Sequence, residues 1–198
     1  MKTLPQRQAQ PPIGNYLEGE QSSDIRHEYL AGQVVAMEGA TRTHALIAGS
    51  LHAALLPAAR RKGCQLFMAD MKVRIDHADE SYFYYPDVVL SCATADRHPL
   101  YTALPCLIVE VLSESTARID RREKLLAYQG LSSLQTYLLV EQDVMRVELY
   151  RRTNDWRVEY VEQGDIPVDC LDMALPLTEI YADVPWPAPA HPNQGLTG

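Results

Sequence analysis

Cys106-Leu107-Ile108-Val109-Glu110-Val111-Leu112 is an apolar run broken by a single carboxylate. A continuous rather than alternating apolar pattern suits a strand covered on both faces, and so a sheet held between other layers. Glu110 is costly to bury there without a partner. Three arrangements meet that cost: the side chain reaches a sheet edge or solvent, it meets an arginine or lysine, or it binds a cation. Upstream, Tyr85-Pro86-Asp87-Val88-Val89-Leu90 carries a second carboxylate just after a proline. Proline is tolerated at a strand's start, which places Asp87 at or near a strand end. If the two strands are neighbours, Asp87 and Glu110 project onto one site. Two such carboxylates repel each other and favour a divalent cation between them. Mg²⁺ suits the arrangement, because it takes carboxylate oxygens, keeps waters and accepts phosphate oxygens. The alternative for Asp87 is a turn or capping residue.

Outward from this pair the pattern alternates helix and strand. Tyr29-Leu30 and Val34-Val35 flank Ala31-Gly32-Gln33, which predicts a short hairpin. Residues 43–62 carry Ile47, Leu51, Ala54, Leu55 and Ala58 at helical spacing, with Thr43 as N-cap, Gly63 as stop, and Pro57 expected to kink or shorten the helix. Three strands are expected, at 66–75, 84–91 and 106–112. A second helix follows over about 117–129, capped by Ser115 or Thr116 and ended by Gly130. Strands at 135–141, 144–150 and 156–162, joined by polar turns, form a meander. The class predicted is α/β, a layered domain around a mixed central sheet with additional C-terminal meander strands.

Composition narrows the function. Hydrophobic residues make up 46% of the 198, against wholesale disorder, and 18 basic against 26 acidic residues give a net charge of −8. That balance argues against nonspecific coating of nucleic acid but not against an enzyme acting on it. No apolar run reaches the ~18 residues of a membrane span. The polar start of the chain lacks the apolar stretch of a signal peptide, so a cytoplasmic location is expected. Residues 1–15 and 185–198 read as tails around one domain, 16–184. Cys64, Cys92, Cys106 and Cys170 form no CxxC pair, and the expectation is four buried, reduced thiols.

The strings around Asp87 and Glu110 carry a family resemblance. Tyr85-Pro86-Asp87-Val88-Val89, then Ile108-Val109-Glu110-Val111-Leu112-Ser113, resembles the PD-(D/E)XK nuclease superfamily, and more narrowly the Uma-type family of restriction-endonuclease-like proteins. The match continues through Ser115-Thr116-Ala117, Asp120, Lys124, Tyr128 and Thr136-Tyr137-Leu138-Leu139-Val140, and upstream through Tyr29, Gly32 and His44. It covers roughly residues 16–183. The resemblance implies a restriction-endonuclease-like core (helix, three strands, helix, strand) and a metal-dependent endonuclease hydrolysing phosphodiester bonds in DNA. Asp87 and Glu110 would be the ligands of Mg²⁺, or of Mn²⁺ in vitro. One departure stands out. The superfamily's usual lysine lies two residues after the second carboxylate, and here that residue is Leu112. Lys124 fits the narrower family's pattern. It sits ~10 Å along the second helix from Ala117, within reach of Glu110 if the helix folds back over the sheet. The alternative is a solvated lysine paired with Asp120 one turn away.

The remaining candidates stay open. His44, and His52 two turns on, are metal ligands, phosphate contacts or ordinary helix histidines. Glu38 and Glu28 are accessory ligands or solvated carboxylates. Related nucleases often carry an acid on the first helix, and residues 43–62 contain none. Arg118, Arg121 and Arg122 make the second helix basic, either a phosphate-contacting patch or a solvated face balanced by Asp120 and Glu123. Besides the nuclease, two further classes fit: a catalytically impaired nucleic-acid-binding module of the same fold, and a structural homodimer using spare strand edges.

Overall fold

The computed structural model describes residues 11–114 and 116–186. The cap expected at Ser115, and most of both expected tails, lie outside them. The chain enters helix α1 (Ile13–Ser22), which begins inside the segment read as a tail. The predicted hairpin follows as β1 (His27–Leu30) and β2 (Gln33–Ala36). Ala31 and Gly32, with φ of 48° and 94°, make the two-residue turn whose twist matches the strands. Helix α2 (Arg42–Lys62) is capped by Thr41, one turn ahead of His44, and stopped by Gly63 at φ 68°. It continues across Pro57 to Lys62.

Two stretches read as single strands are each two strands in different sheets. The first becomes β3 (Gln65–Met68) and β4 (Lys72–His77), parted by Ala69 at φ 62°. The second, expected over 84–91, takes in the last residue of β5 (Glu80–Tyr84) and all of β6 (Val88–Ser91). Pro86 lacks the N–H a ladder needs, and the chain changes sheets there. After β7 (Tyr101–Thr102) comes β8 (Leu107–Val111), the strand of Glu110. The second helix is not uniformly α. A short α3 (Ala117–Ile119) opens into a π-turn over Asp120–Lys124 and closes as α4 (Leu125–Gln129). The meander is β9 (Thr136–Val140), β10 (Val147–Arg151) and β11 (Val158–Val161). A hairpin absent from the sequence reading, β12 (Asp165–Val168) and β13 (Met173–Pro176), and α5 (Leu177–Ile180) complete the described chain.

The sheets run β2-β1-β5-β4-β7 and β11-β10-β9-β8-β6-β3. In the second, β6 pairs antiparallel with β3 and β8, while β9 runs parallel to β8, so the sheet is mixed. The expected core is α2, then β3, β6 and β8, then α3–α4, then β9. One face of this sheet packs on α2, β12, β13 and α5 through Leu51, Leu55, Val109, Val111 and Ile166. The other packs toward α4 and the first sheet through Ile108, Leu112, Tyr128, Tyr137 and Val73. Glu110 alternates onto this second face, at the seam between the two sheets.

The cysteine expectation is corrected. Cys64 and Cys92 form a disulfide, Cys106 is buried, and Cys170 is half-buried. Gln65 pairs with Ser91, so the next residues outward, Cys64 and Cys92, face each other with Cα atoms 4.2 Å apart. A sequence separation of 28 hides that register.

Candidate active site

The antiparallel register decides the relation between the two carboxylates. Val88 pairs with Val109, and one step further Asp87 stands opposite Glu110 on the same face. Opposed residues in such a pair hold their Cβ atoms about 4.5–5.5 Å apart. Asp87 is fixed from two sides. Its Oδ2 accepts the Val111 backbone N–H at 2.7 Å, and its Oδ1 lies 2.7 Å from His44 Nε2. His44 sits in the first turn of α2, where its N–H donates to the Thr41 hydroxyl. Thr41 Oγ1 donates to Gln142 Oε1, and Gln142 Nε2 donates to the Leu112 carbonyl at 2.6 Å. This chain of contacts ties the start of α2 to the end of β8.

Around Glu110 the charges do not balance. Lys124 Nζ donates to Glu110 Oε1 at 3.1 Å and stands 3.2 Å from both Glu28 Oε1 and Asp120 Oδ1. One ammonium therefore faces three carboxylates. Side-chain exposure is 5% at Glu110, 7% at Lys124 and 2% at Asp120. Tyr128 adds a hydroxyl donor to Glu110 Oε1 at 2.9 Å. Burial, reinforced by Asp120, Asp87 and Glu28, raises the Glu110 carboxyl well above its ordinary range despite Lys124. Burial works against the Lys124 ammonium, but Glu110, Glu28 and Asp120 outweigh it and hold its pKa well above the ordinary value.

Asp120 and Lys124, four residues apart, meet on the buried side, and the segment they bound is wound as a π-turn, a distortion that often accompanies functional sites. Glu28 arrives separately, from β1 in the other sheet. Leu112 is buried in the core beside Tyr128 and Leu131, and Lys124 occupies the space near Glu110 instead.

The other expected residues lie apart. Glu38 is exposed ahead of α2, and His52 is half-buried on α2. Arg118 and Arg122 are exposed, whereas Arg121 donates to Glu148 at 2.7 Å and Glu141 at 2.6 Å. Arg121 thereby lines an open groove of about 1090 Å³ with Arg146 and Tyr160, and both arginines already meet carboxylates. That groove is not a basic track. Asp120 and Tyr128 belong to the site, and the four-residue spacing of Asp120, Lys124 and Tyr128 is the signal for them. Gln142 carries no comparable signal, because it acts through a loop.

Among the described residues no three His, Cys, Asp or Glu side chains converge as a ready-made metal cage. The donor set nevertheless fits a hard cation. Glu28 Oε1 and Asp120 Oδ1 are buried without a hydrogen bond, since Lys124 meets them outside hydrogen-bonding geometry. Mg²⁺ commonly takes only one or two carboxylates, with waters and substrate phosphate filling the rest.

Comparison with known proteins identifies the family and the fold. Residues 14–178 match the model of the family Uma2, described as "Putative restriction endonuclease". Two uncharacterized proteins of Synechocystis sp. (strain ATCC 27184 / PCC 6803 / Kazusa) are similar. Slr1290 is 33% identical over 84% of this chain and 88% of its own length, and sll1609 is 32% identical over 71% and 80%. A crystal structure from Anabaena variabilis ATCC 29413, described as a putative nuclease belonging to DUF820, shares the fold. Its TM-score is 0.64 over 81% of this chain and 92% of that one, at 14% identity. The paired strands bearing Asp87 and Glu110 thus sit in a nuclease-like fold, and the chain belongs to the Uma2 family of restriction-endonuclease-like proteins.

Proposed function

We propose that this protein is a divalent-metal-dependent endonuclease that hydrolyses phosphodiester bonds in DNA. The observation that carries the reading is the opposition of Asp87 and Glu110 across two paired strands, in a buried cluster with one ammonium for three carboxylates. Asp87 and Glu110 would hold Mg²⁺, or Mn²⁺ in vitro, with Glu28 as an accessory acid in place of the one missing from α2. When bound, the ion would polarise the scissile phosphate and lower the pKa of its water.

The chain's own groups prepare this. His44 and the Val111 N–H hold the Asp87 carboxylate in one orientation. Lys124 and Tyr128 both donate to Glu110 Oε1 and hold that carboxyl in place. Lys124, anchored by Glu28 and Asp120, keeps its charge and presents N–H donors where negative charge develops on the phosphate. Side-chain exposure of 19% at Asp87, 17% at His44 and 13% at Glu28 marks the side from which substrate approaches. Arg118 and Arg122, exposed on the neighbouring helix, would meet backbone phosphates. A cytoplasmic location and a homodimer through the open edge of β11 complete the reading. No described helix is long and apolar enough to cross a membrane.

Leu112 at the usual lysine position favours a second reading, a nucleic-acid-binding module that has lost catalysis. Plasmid and single-stranded DNA, incubated with Mg²⁺ or Mn²⁺ and with wild type beside Glu110→Ala, separate the two. The nuclease requires metal-dependent cutting that disappears in the variant. DNA binding without metal and without cutting supports the binding module.

A further inference from the structure

Four cysteines from four places in the sequence meet at the end of β6 and β8 opposite the carboxylates. Cys64 and Cys92 form the disulfide between β3 and β6. The β6–β8 register carries Leu90 opposite Leu107, so Cys106 follows opposite Ser91 and lies diagonal to Cys92. Its Sγ is 3.8 Å from Cys92 Sγ. Cys170, from the turn between β12 and β13, lies beside this group: its carbonyl oxygen is 3.9 Å from Cys92 Sγ, and its thiol lowers the pKa of Cys106. A free thiol thus touches one sulfur of a disulfide, with a second free thiol behind it.

We propose that these residues form a thiol–disulfide exchange centre, in which the buried Cys106 and the half-buried Cys64 trade places as the free thiol. Cys106 loses its proton to solvent, and its thiolate attacks Cys92 Sγ. A Cys106–Cys92 bond forms and the Cys92–Cys64 bond breaks. The electron pair leaves on Cys64, which takes a proton from solvent. Nothing is oxidised or reduced overall, so the step needs no co-reactant.

The exchange relocates a covalent tie. In the form described it staples edge strand β3 to β6. After exchange it joins β6 to β8, the two strands that carry Asp87 and Glu110. β3 is then held by its ladder alone, and its continuation includes the Ala69 N–H that donates to the Asp87 carbonyl at 3.0 Å. The site also offers a second dithiol pair, Cys106 and Cys170, to an external disulfide such as oxidised glutathione. This inference is independent of the nuclease reading.

The test is alkylation of the folded, oxidised full chain with N-ethylmaleimide, followed by denaturation, digestion without reductant and disulfide mapping. Exchange predicts label accumulating on Cys64 together with a Cys92–Cys106 disulfide, because capping Cys64 draws the equilibrium forward. In Cys106→Ser, labelling of Cys64 should fall to background. In Cys64→Ser, oxidised glutathione should produce the Cys92–Cys106 disulfide. An intact Cys64–Cys92 bond with no label on Cys64 at any time overturns the proposal. So does recovery of four free thiols with a stoichiometric bound metal ion.

Discussion

Replacing Lys124 with methionine removes the single cation from the buried cluster and keeps the volume of its stem. Glu110, Glu28 and Asp120 then face a space whose edges lay 3.1–3.2 Å from the lost ammonium. Breaking a buried ion pair by removing one partner costs about 3–5 kcal/mol. Exposures of 2–13% in the three acids leave little screening by water. For a chain of this size that corresponds to a fall in Tm of roughly 6–20 °C. Urea denaturation measured from mildly acidic to mildly alkaline pH reads the effect. The loss should be largest at the alkaline end and shrink on acidification, because protonated Glu110 relieves part of the repulsion that Lys124 relieves in the wild type. Added Mg²⁺ or Mn²⁺ should also return part of the lost stability. A loss below about 1 kcal/mol, as for an exposed pair, would refute the buried-cluster argument. So would a loss that grows on acidification.

His44→Ala frees one side of Asp87 and should lower metal-dependent activity about 10–100-fold, as loss of a ligand's orienting partner does; steady-state cleavage rates check it. Glu110 carries a raised pKa in the fold, so its favourable contribution is full below the ordinary value of 4.5 and is lost as pH rises through the folded value. Denaturant curves should therefore show Glu110→Gln gaining stability relative to wild type as pH rises above 4.5. Leu112→Lys would place an unpaired charge among Tyr128, Leu131 and Leu134 and should cost roughly 3–5 kcal/mol in the same assay.

The carboxylate pair was legible because each residue violated its surroundings: Glu110 broke an apolar strand, and Asp87 followed a proline at a strand's start. The hairpin at Ala31-Gly32 and the Gly63 stop were legible as local backbone chemistry. What failed was long-range. Residues 66–75 and 84–91 looked continuous, because a left-handed Ala69 and a sheet change at Pro86 leave the hydrophobic pattern almost intact. Glu28 stayed ambiguous because its partner Lys124 comes from another layer. The π-turn was hidden because Asp120–Lys124 has the composition of an ordinary solvated helix. The cysteines deceived for the same reason: their pairing depends on strand register, not on spacing.

The nuclease reading stands or falls on Asp87 and Glu110 together taking a divalent cation. Calorimetric titration of Mn²⁺ into wild type, Asp87→Asn and Glu110→Gln is the test. The expected result is saturable binding by the wild type and loss of that binding in both variants. Binding of equal strength in all three proteins, or no binding to the wild type at millimolar Mn²⁺, would contradict it.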